Sequence, residues 1–235
     1  MNLVLATHNK DKVAEISRIL AGLDIELSTL DDYPGAPEPV EDGETLEANA
    51  LKKAVVTREF TGRSALADDT GLFVDALDGA PGIHAARFAS GQEQGNAGYI
   101  ENYEKLLEAM RDVDDAVRTA TFHTVMAVAL SQEDAGWVQD TIDSNPDKVF
   151  GVRLDDRRIA DTLVTEGFLH GTISREPLGE HGFGYDPVFS VPQYKRTLAE
   201  MTAGEKNSLS HRYRALVEMR ALLIRLDLAE ESPRG

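Results

Sequence analysis

The sequence predicts an α/β fold, a mixed central β-sheet flanked by helices, and three observations carry that expectation. Short apolar strands alternate with helix-like segments along the chain. A strand–turn–helix opens it, running from Leu3-Val4-Leu5-Ala6 into Val13, Ile16 and Leu20 at helical spacing. A long strand over Thr119 to Leu130 places Phe122, Thr124, Met126, Val128 and Leu130 on one side.

The elements follow in order. Ile25 to Leu27 predicts a second strand, and Tyr33-Pro34-Gly35-Ala36-Pro37-Glu38-Pro39 a loop, because proline sustains neither a helix nor a central strand. Glu44 to Phe60 predicts a helix with Leu46, Ala50, Lys53 and Ala54 close to one face. Ser64 to Ala67 enters a turn at Asp68-Asp69, since Asp before Gly is a turn signal, and Leu72-Phe73-Val74 leaves it. Asp78 to Gly82 is another turn, and Tyr99 to Met110 a helix with Ile100, Tyr103, Leu106 and Leu107 at the expected spacing. Ser131 to Gly167 reads as a charged excursion, an insertion at about 131–167 with one short helix. Gly171 to Ser174 reads as a short strand. A final helix opens after Thr202-Ala203-Gly204-Glu205, a capping box, and packs through Leu209, Tyr213, Leu216 and Val217. One domain over 1–229 with a frayed tail at 230–235 is the expected organisation.

Composition narrows the function. The 235 residues are 42% hydrophobic and 28% charged, the profile of a globular chain with a single core or two lobes of one domain. A formal charge of −17 opposes a nucleic-acid backbone, whose binding needs clustered Lys and Arg. No nucleic-acid partner is therefore expected. The longest apolar run, Val125 to Leu130, is too short to span a bilayer, so no membrane partner is expected either. The N-terminus shows no basic leader with a cleavable apolar region. With no cysteine there is no disulfide framework, no thiolate metal site and no cysteine nucleophile, and a cytoplasmic location is expected.

Four separated segments, at Thr7–Lys12, Asp68–Gly71, Phe183–Pro187 and Lys206–Arg212, share one chemical theme, with Glu41 and Asp42 beside them. Thr7-His8-Asn9-Lys10-Asp11-Lys12 turns from strand to helix, where backbone N–H groups attract anions and hydroxyl, amide and ammonium groups add donors. It is not a Walker loop, and taken alone the segment is better accounted for by capping of the helix by Asn9 with Lys12 solvated. Asp68 and Asp69 precede Thr70-Gly71. Because side chains alternate along a strand, one carboxylate of the two faces any given pocket, where it suits Mg²⁺ or a general base. Glu41 and Asp42 stand before a helix, as second metal ligand or as acids favoured by the helix dipole. Phe183-Gly184-Tyr185-Asp186-Pro187 joins an aromatic suited to stacking on a base with an acid suited to reading its edge. A buried aromatic turn is the structural alternative. Lys206, His211 and Arg212 gather cations around a helix start, where they oppose the dipole unless they face an anion. His84, His123, His170 and His181 are isolated and read as structural or surface residues.

In this order, the segments resemble the inosine triphosphate pyrophosphatase family, enzymes that cleanse the nucleotide pool. Thr7, Asn9 and Lys12 match its Thr-x-Asn-x-x-Lys, and Asp68-Asp69-Thr70-Gly71-Leu72 its Asp-Asp-Ser/Thr-Gly-Leu. Pro81-Gly82-Ile83 with Ala86-Arg87-Phe88, Phe183 to Pro187, and Lys206 with Ser210-His211-Arg212 complete the set. The chain departs from the pattern at Ala48, where an acid often precedes the Asn of the second helix, and in the length of 131–167. The resemblance implies two lobes with the active site in a cleft, a homodimer, and Mg²⁺-dependent hydrolysis of ITP, dITP and XTP to monophosphate and pyrophosphate. It implies Asp69 as general base and metal ligand, Glu41 as second metal ligand, and Thr7 through Lys12 with Lys53 on the phosphates. Thr70 would touch substrate. Phe183, Gly184, Tyr185, Asp186, Lys206, His211 and Arg212 would form the base pocket, Arg212 donating to a 6-oxo group. A pyrophosphatase for modified pyrimidine or methylated nucleotides, and a nucleotide-binding module without catalysis, are the competing readings.

Overall fold

A computed structural model describes residues 1–90 and 98–228, so the expected frayed tail at 230–235 lies outside the described residues. The chain divides into two compact units. The first holds Met1–Asp69, Val125–Glu166 and the segment from Tyr213 onward, and the second Thr70–Thr124 and Gly167–Arg212.

The first unit starts with β1 (Asn2–Leu5), α1 (Lys10–Leu20), β2 (Glu26–Thr29) and α2 (Leu46–Thr61). β3 (Ser64–Val74) begins in this unit and ends in the second. β1 pairs parallel with β2 at Leu3↔Leu27 and with β3 at Leu3↔Ser64, so both helices are parallel crossovers. Asn9 caps α1, its Oδ1 accepting from the N–H groups of Asp11 and Lys12, and Thr45 caps α2 through Ala48 N–H. Gly62 ends α2 in the left-handed region at φ 68°, which glycine enters without Cβ strain.

Further along, β5 (Thr119–Ala129) and β7 (Ala160–Ile173) continue the sheet order β2-β1-β3-β5-β7, with β6 (Val152–Leu154) antiparallel to β7. α4 (Gln132–Ser144) and α6 (His211–Arg225) supply the remaining helices of this unit. Its core joins Leu3, Leu5, Ile16 and Leu20 to Met126, Val128, Val138, Leu163, Leu216 and Met219.

In the second unit, β4 (Pro81–Gly82) pairs with the end of β3, and β8 (Phe189–Val191) pairs with β7 and with β9 (Arg196–Thr197). α3 (Tyr99–Ala109) and α5 (Ala203–Leu209) complete it. Its own core gathers Leu72, Val74, Leu106, Met110, Phe122, Ile173, Phe189, Leu198 and Leu209, with the Phe122 and Phe189 rings 4.6 Å apart.

The expected elements form, with four differences. Asp68 to Gly71 is not a turn: β3 runs straight through it, because each buried carboxylate has a lysine partner that removes the penalty of burying it in a strand. The strand expected at Gly171 to Ser174 extends back to Ala160. Its inward positions 167 and 171 are glycines and its outward position 168 is an exposed phenylalanine, so the apolar alternation carried by Leu169 and Ile173 is interrupted there. Residues 131–167 hold the three-turn helix α4 and strand β6, with Ala135, Val138, Ile142 and Leu163 in the core. The final helix is two helices, broken at Ser210 in extended geometry (φ −64°, ψ 152°). Asn207, Ser208 and Ser210 are weak helix formers, and Ser208 Oγ donates to the Glu205 carbonyl. The capping box of Thr202 and Glu205 forms as expected, with Glu205 held down to about 2 by Arg196 and the Thr202 donors, whereas Val217 is exposed.

Gly171 shows how tightly the second core closes. A Cβ there would sit 2.5 Å from both the Phe189 ring and the Ser190 carbonyl oxygen. Gly171→Ala is expected to destabilise the protein by about 1–3 kcal/mol through overpacking; a urea midpoint equal to that of the native protein would contradict this packing.

Candidate active site

The first functional group belongs to the first unit and is built on β3. Adjacent side chains of a strand point to opposite faces, so Asp68 and Asp69 need separate partners. Lys12, one turn into α1, places Nζ 2.9 Å from Asp68 Oδ2, a carboxylate only 1% exposed. Lys53, in the middle of α2, places Nζ 2.9 Å from Asp69 Oδ1 and 2.8 Å from Glu41 Oε1. Asn49, one turn earlier on α2, donates from Nδ2 to Asp69 Oδ2 at 3.2 Å and accepts the Gly43 N–H at 2.8 Å. Asn49 thus fixes the rotation of Asp69 and ties down the loop that carries Glu41.

Charge regulation follows from burial. Burial raises the Asp69 carboxyl above the ordinary carboxylate range, against the pull of Lys53 and Lys12, with Glu41 adding to the rise. Burial alone would lower the Lys53 ammonium, but Asp69, Glu41 and Asp68 outweigh it and hold the lysine above its ordinary value. Asp69 is therefore a better proton acceptor than a surface aspartate, next to two fixed positive charges.

Among the described residues, no three Asp, Glu or His side chains are grouped to hold a metal ion unaided. Glu41 Oε1 and Asp69 Oδ1 nonetheless converge on one cationic atom, Lys53 Nζ. Two such oxygens fit Mg²⁺, which takes one or two carboxylates and completes its shell with water and phosphate oxygens.

The second functional group belongs to the second unit and is built around Phe183. Asp186, 3% exposed, accepts the Phe183 N–H at 2.8 Å and Lys206 Nζ at 2.6 Å. Burial raises the Asp186 carboxyl, outweighing Lys206 and the Phe183 amide. Lys206 Nζ lies 4.4 Å from the centre of the Phe183 ring and the Arg212 guanidinium carbon 5.5 Å from it, a paired cation–π arrangement. Tyr99 reaches the same ring with centroids 6.0 Å apart. His211 is buried and stacks on Phe122 at 4.5 Å and 16°.

Several site expectations acquire a definite place. Lys12, Lys53, Asp69 and Glu41 come together, as do Phe183, Asp186, Lys206 and Arg212. Asp186 spends both its contacts inside the protein, shaping Phe183 and Lys206 rather than presenting a free edge. Tyr185 is a core residue: it is 5% exposed, its hydroxyl donates to the Ala85 carbonyl, and burial pushes its pKa up. Gly184 holds φ 63° between them. Thr7 Oγ1 accepts the Asn9 N–H, His8 faces the exposed Asp31 at 3.3 Å, and Lys10 and Asp11 are exposed. The amides of Asp11 and Lys12 are committed to Asn9, so cation side chains rather than those amides carry the positive charge here. Thr70 Oγ1 lies 2.7 Å from Thr124 Oγ1. Glu47, the acid nearest the departure at Ala48, pairs with Arg153 at 2.8 Å and stays out of the lysine–carboxylate group.

Asn49 was not expected as a site residue, and Asp68 was expected only as the alternative to Asp69. A polar side chain on the buried face of a helix is the signal for Asn49, but only its partner Asp69 shows its purpose. Of the isolated histidines, His123 stacks on Phe168 at 4.2 Å, and His170 bonds Thr121 at 2.9 Å, as structural residues do.

A mixed α/β fold carrying a lysine-neutralised acidic group and a cation-flanked aromatic defines the class of protein. Comparison with known proteins gives the family. The model of the Ham1 family matches residues 3–222, and the chain belongs to that family. It is 42% identical over 231 residues to the dITP/XTP pyrophosphatase of Desulforamulus reducens, covering 98% of this chain and 100% of that protein. It is 43% identical to the dITP/XTP pyrophosphatase of Geobacter sulfurreducens, over 91% of this chain and 92% of that one. The solved structure of a HAM1 protein from Coxiella burnetii superposes with a TM-score of 0.76 at 36% identity, covering 95% of this chain and 98% of that chain.

The buried Asp186–Lys206 pair makes a stability prediction. Asp186→Ala strands the Lys206 ammonium, whose side chain is 8% exposed, and is expected to cost about 3–5 kcal/mol in guanidinium unfolding. A loss under about 1 kcal/mol, the range of exposed pairs, would show that the pair is not closed off from water.

Proposed function

We propose that this chain hydrolyses the noncanonical purine nucleoside triphosphates ITP, dITP and XTP to the nucleoside monophosphate and pyrophosphate. The observation that carries the reading is the convergence of Glu41 and Asp69 on Lys53, beside the Lys12–Asp68 pair. The name dITP/XTP pyrophosphatase on relatives that align over nearly the whole chain supports the same substrate class.

Glu41 and Asp69 would hold Mg²⁺, which when bound supplies neutralisation of phosphate charge. Asp69, with its carboxyl raised by burial, takes the proton of the attacking water, which then adds to phosphorus as pyrophosphate leaves. Lys12 and Lys53 balance the negative charge that grows on the phosphate oxygens. Asn49 keeps Asp69 turned toward the reaction. In the second unit Phe183 supplies an aromatic ring for the purine, with Lys206 and Arg212 lying over that ring. A guanidinium donates only, so Arg212 favours the 6-oxo group of hypoxanthine and xanthine over the 6-amine of adenine. Homodimerisation and a cytoplasmic location belong to the same reading.

Pyrophosphate release with Mg²⁺ across ITP, XTP, dITP, ATP, GTP and dTTP tests it: strong turnover of the first three alone is expected, and turnover of another nucleotide in their place refutes the substrate assignment. No turnover of any of them would favour a binding module. Asp69→Asn is expected to lower kcat about 10²–10⁴-fold, the range for a lost general base, with a native circular dichroism spectrum. Phe183→Ala is expected to raise KM more than it lowers kcat, which steady-state kinetics with ITP would read.

A further inference from the structure

We propose that Lys53 is a built-in counter-ion that a divalent metal must displace, so that the freed lysine becomes available to the triphosphate only once the metal has entered. The inference rests on the reading of Glu41 and Asp69 as the metal ligands.

The geometry points to displacement rather than coexistence. Lys53 Nζ takes one oxygen from each acid, Glu41 Oε1 at 2.8 Å and Asp69 Oδ1 at 2.9 Å. Of the two Asp69 oxygens, Oδ1 is the one that meets Glu41 Oε1 across Lys53 Nζ, whereas Oδ2 faces Asn49 Nδ2, and Asn49 is itself held by the Gly43 N–H. A metal using Asp69 therefore competes for Oδ1, the atom that Lys53 holds. A cation bridging Glu41 Oε1 and Asp69 Oδ1 would stand where the Lys53 ammonium stands, and two cations that close repel.

The resting arrangement is stable for the same reason. The Lys53 and Asp69 side chains are only 12% and 10% exposed, so neither charge is well solvated without the other. Once lifted, the Lys53 ammonium sits in a poorly hydrated position beside a metal and requires a new anion. A phosphate of the substrate supplies one. Metal and triphosphate are then coupled through a single side chain: each is bound more tightly when the other has paid off Lys53, and linkage makes the effect reciprocal. Lys12 is not equivalent, since its partner Asp68 is a different carboxylate on the other face of the strand.

The test needs no turnover. Binding of Mn²⁺ alone, followed by the loss of the free-ion electron paramagnetic resonance signal, is compared between the native protein, Lys53→Met and Glu41→Gln, with thermal melts reporting the fold of each. Lys53→Met is expected to bind Mn²⁺ about tenfold more tightly than the native protein, within the usual range of coupling between two ligands. In the native protein, acetylation of Lys53 by an amine-reactive ester, read by peptide mass spectrometry, is expected to rise several-fold when Mn²⁺ is added. Equal or weaker Mn²⁺ binding by a folded Lys53→Met protein overturns the proposal. If that variant fails to fold, the native footprint decides, and a Lys53 reactivity unchanged by saturating Mn²⁺ overturns it. Glu41→Gln separates the two levels. Weakened Mn²⁺ binding there supports the ligand assignment even if the lysine result is negative, whereas native-like binding removes the assignment and the proposal together.

Discussion

Two adjacent carboxylates in a strand buried on both faces are the constraint on which the first unit depends. Asp68 and Asp69 are successive residues of β3, where side chains alternate, and each carboxylate has its ion pair with a lysine of a different helix. Each has to be met from its own side by a lysine on a helix, Lys12 from α1 and Lys53 from α2. Parallel β1-α1-β2-α2-β3 connectivity makes this possible, because it brings two crossover helices against the same strand. Unpaired, either acid would be protonated or the strand would open to water. The ion pairs are thus required by the placement of the acids.

The second unit applies the same rule to a different end. Asp186 is buried beneath Phe183 and is neutralised by Lys206, whose ammonium lies against the Phe183 ring. Asp186 also accepts the Phe183 amide, so one carboxylate sets both the backbone and the cation around the ring. Tyr185 anchors the turn from the core side through the Ala85 carbonyl. The aromatic is held by its surroundings rather than by its own packing, which suits a ring that receives a flat ligand.

The local field of these groups is what matters chemically, not the charge of −17 on the whole chain. Screening removes most distant repulsion beyond about 8 Å at physiological salt. A triphosphate near Lys12 and Lys53 meets two fixed cations whose counter-charges are partly buried acids, and a metal at Glu41 and Asp69 adds to that side of the balance. Strongly acidic composition and a phosphate site are therefore compatible.

Much of this was legible in the sequence. The N-terminal strand–turn–helix, the capping box at Thr202 and the long strand over Thr119–Ala129 follow from local spacing and capping chemistry, which depend on neighbours a few residues away. The residues that gather in the two groups were nearly all named as well, because their side chains are the ones with suitable chemistry. Their division of labour was not. Asp68–Gly71 reads as a turn until Lys12 and Lys53 are seen to neutralise it, and much of β7 is hidden because Gly167 and Gly171 interrupt its apolar inward face. Asn49 has no visible role without Asp69, which stands twenty residues away in sequence. Composition and short-range pattern determined which elements form and which chemistry is present. Only the tertiary structure decided which acid meets which lysine, because that pairing is a contact between distant segments and leaves no periodicity behind.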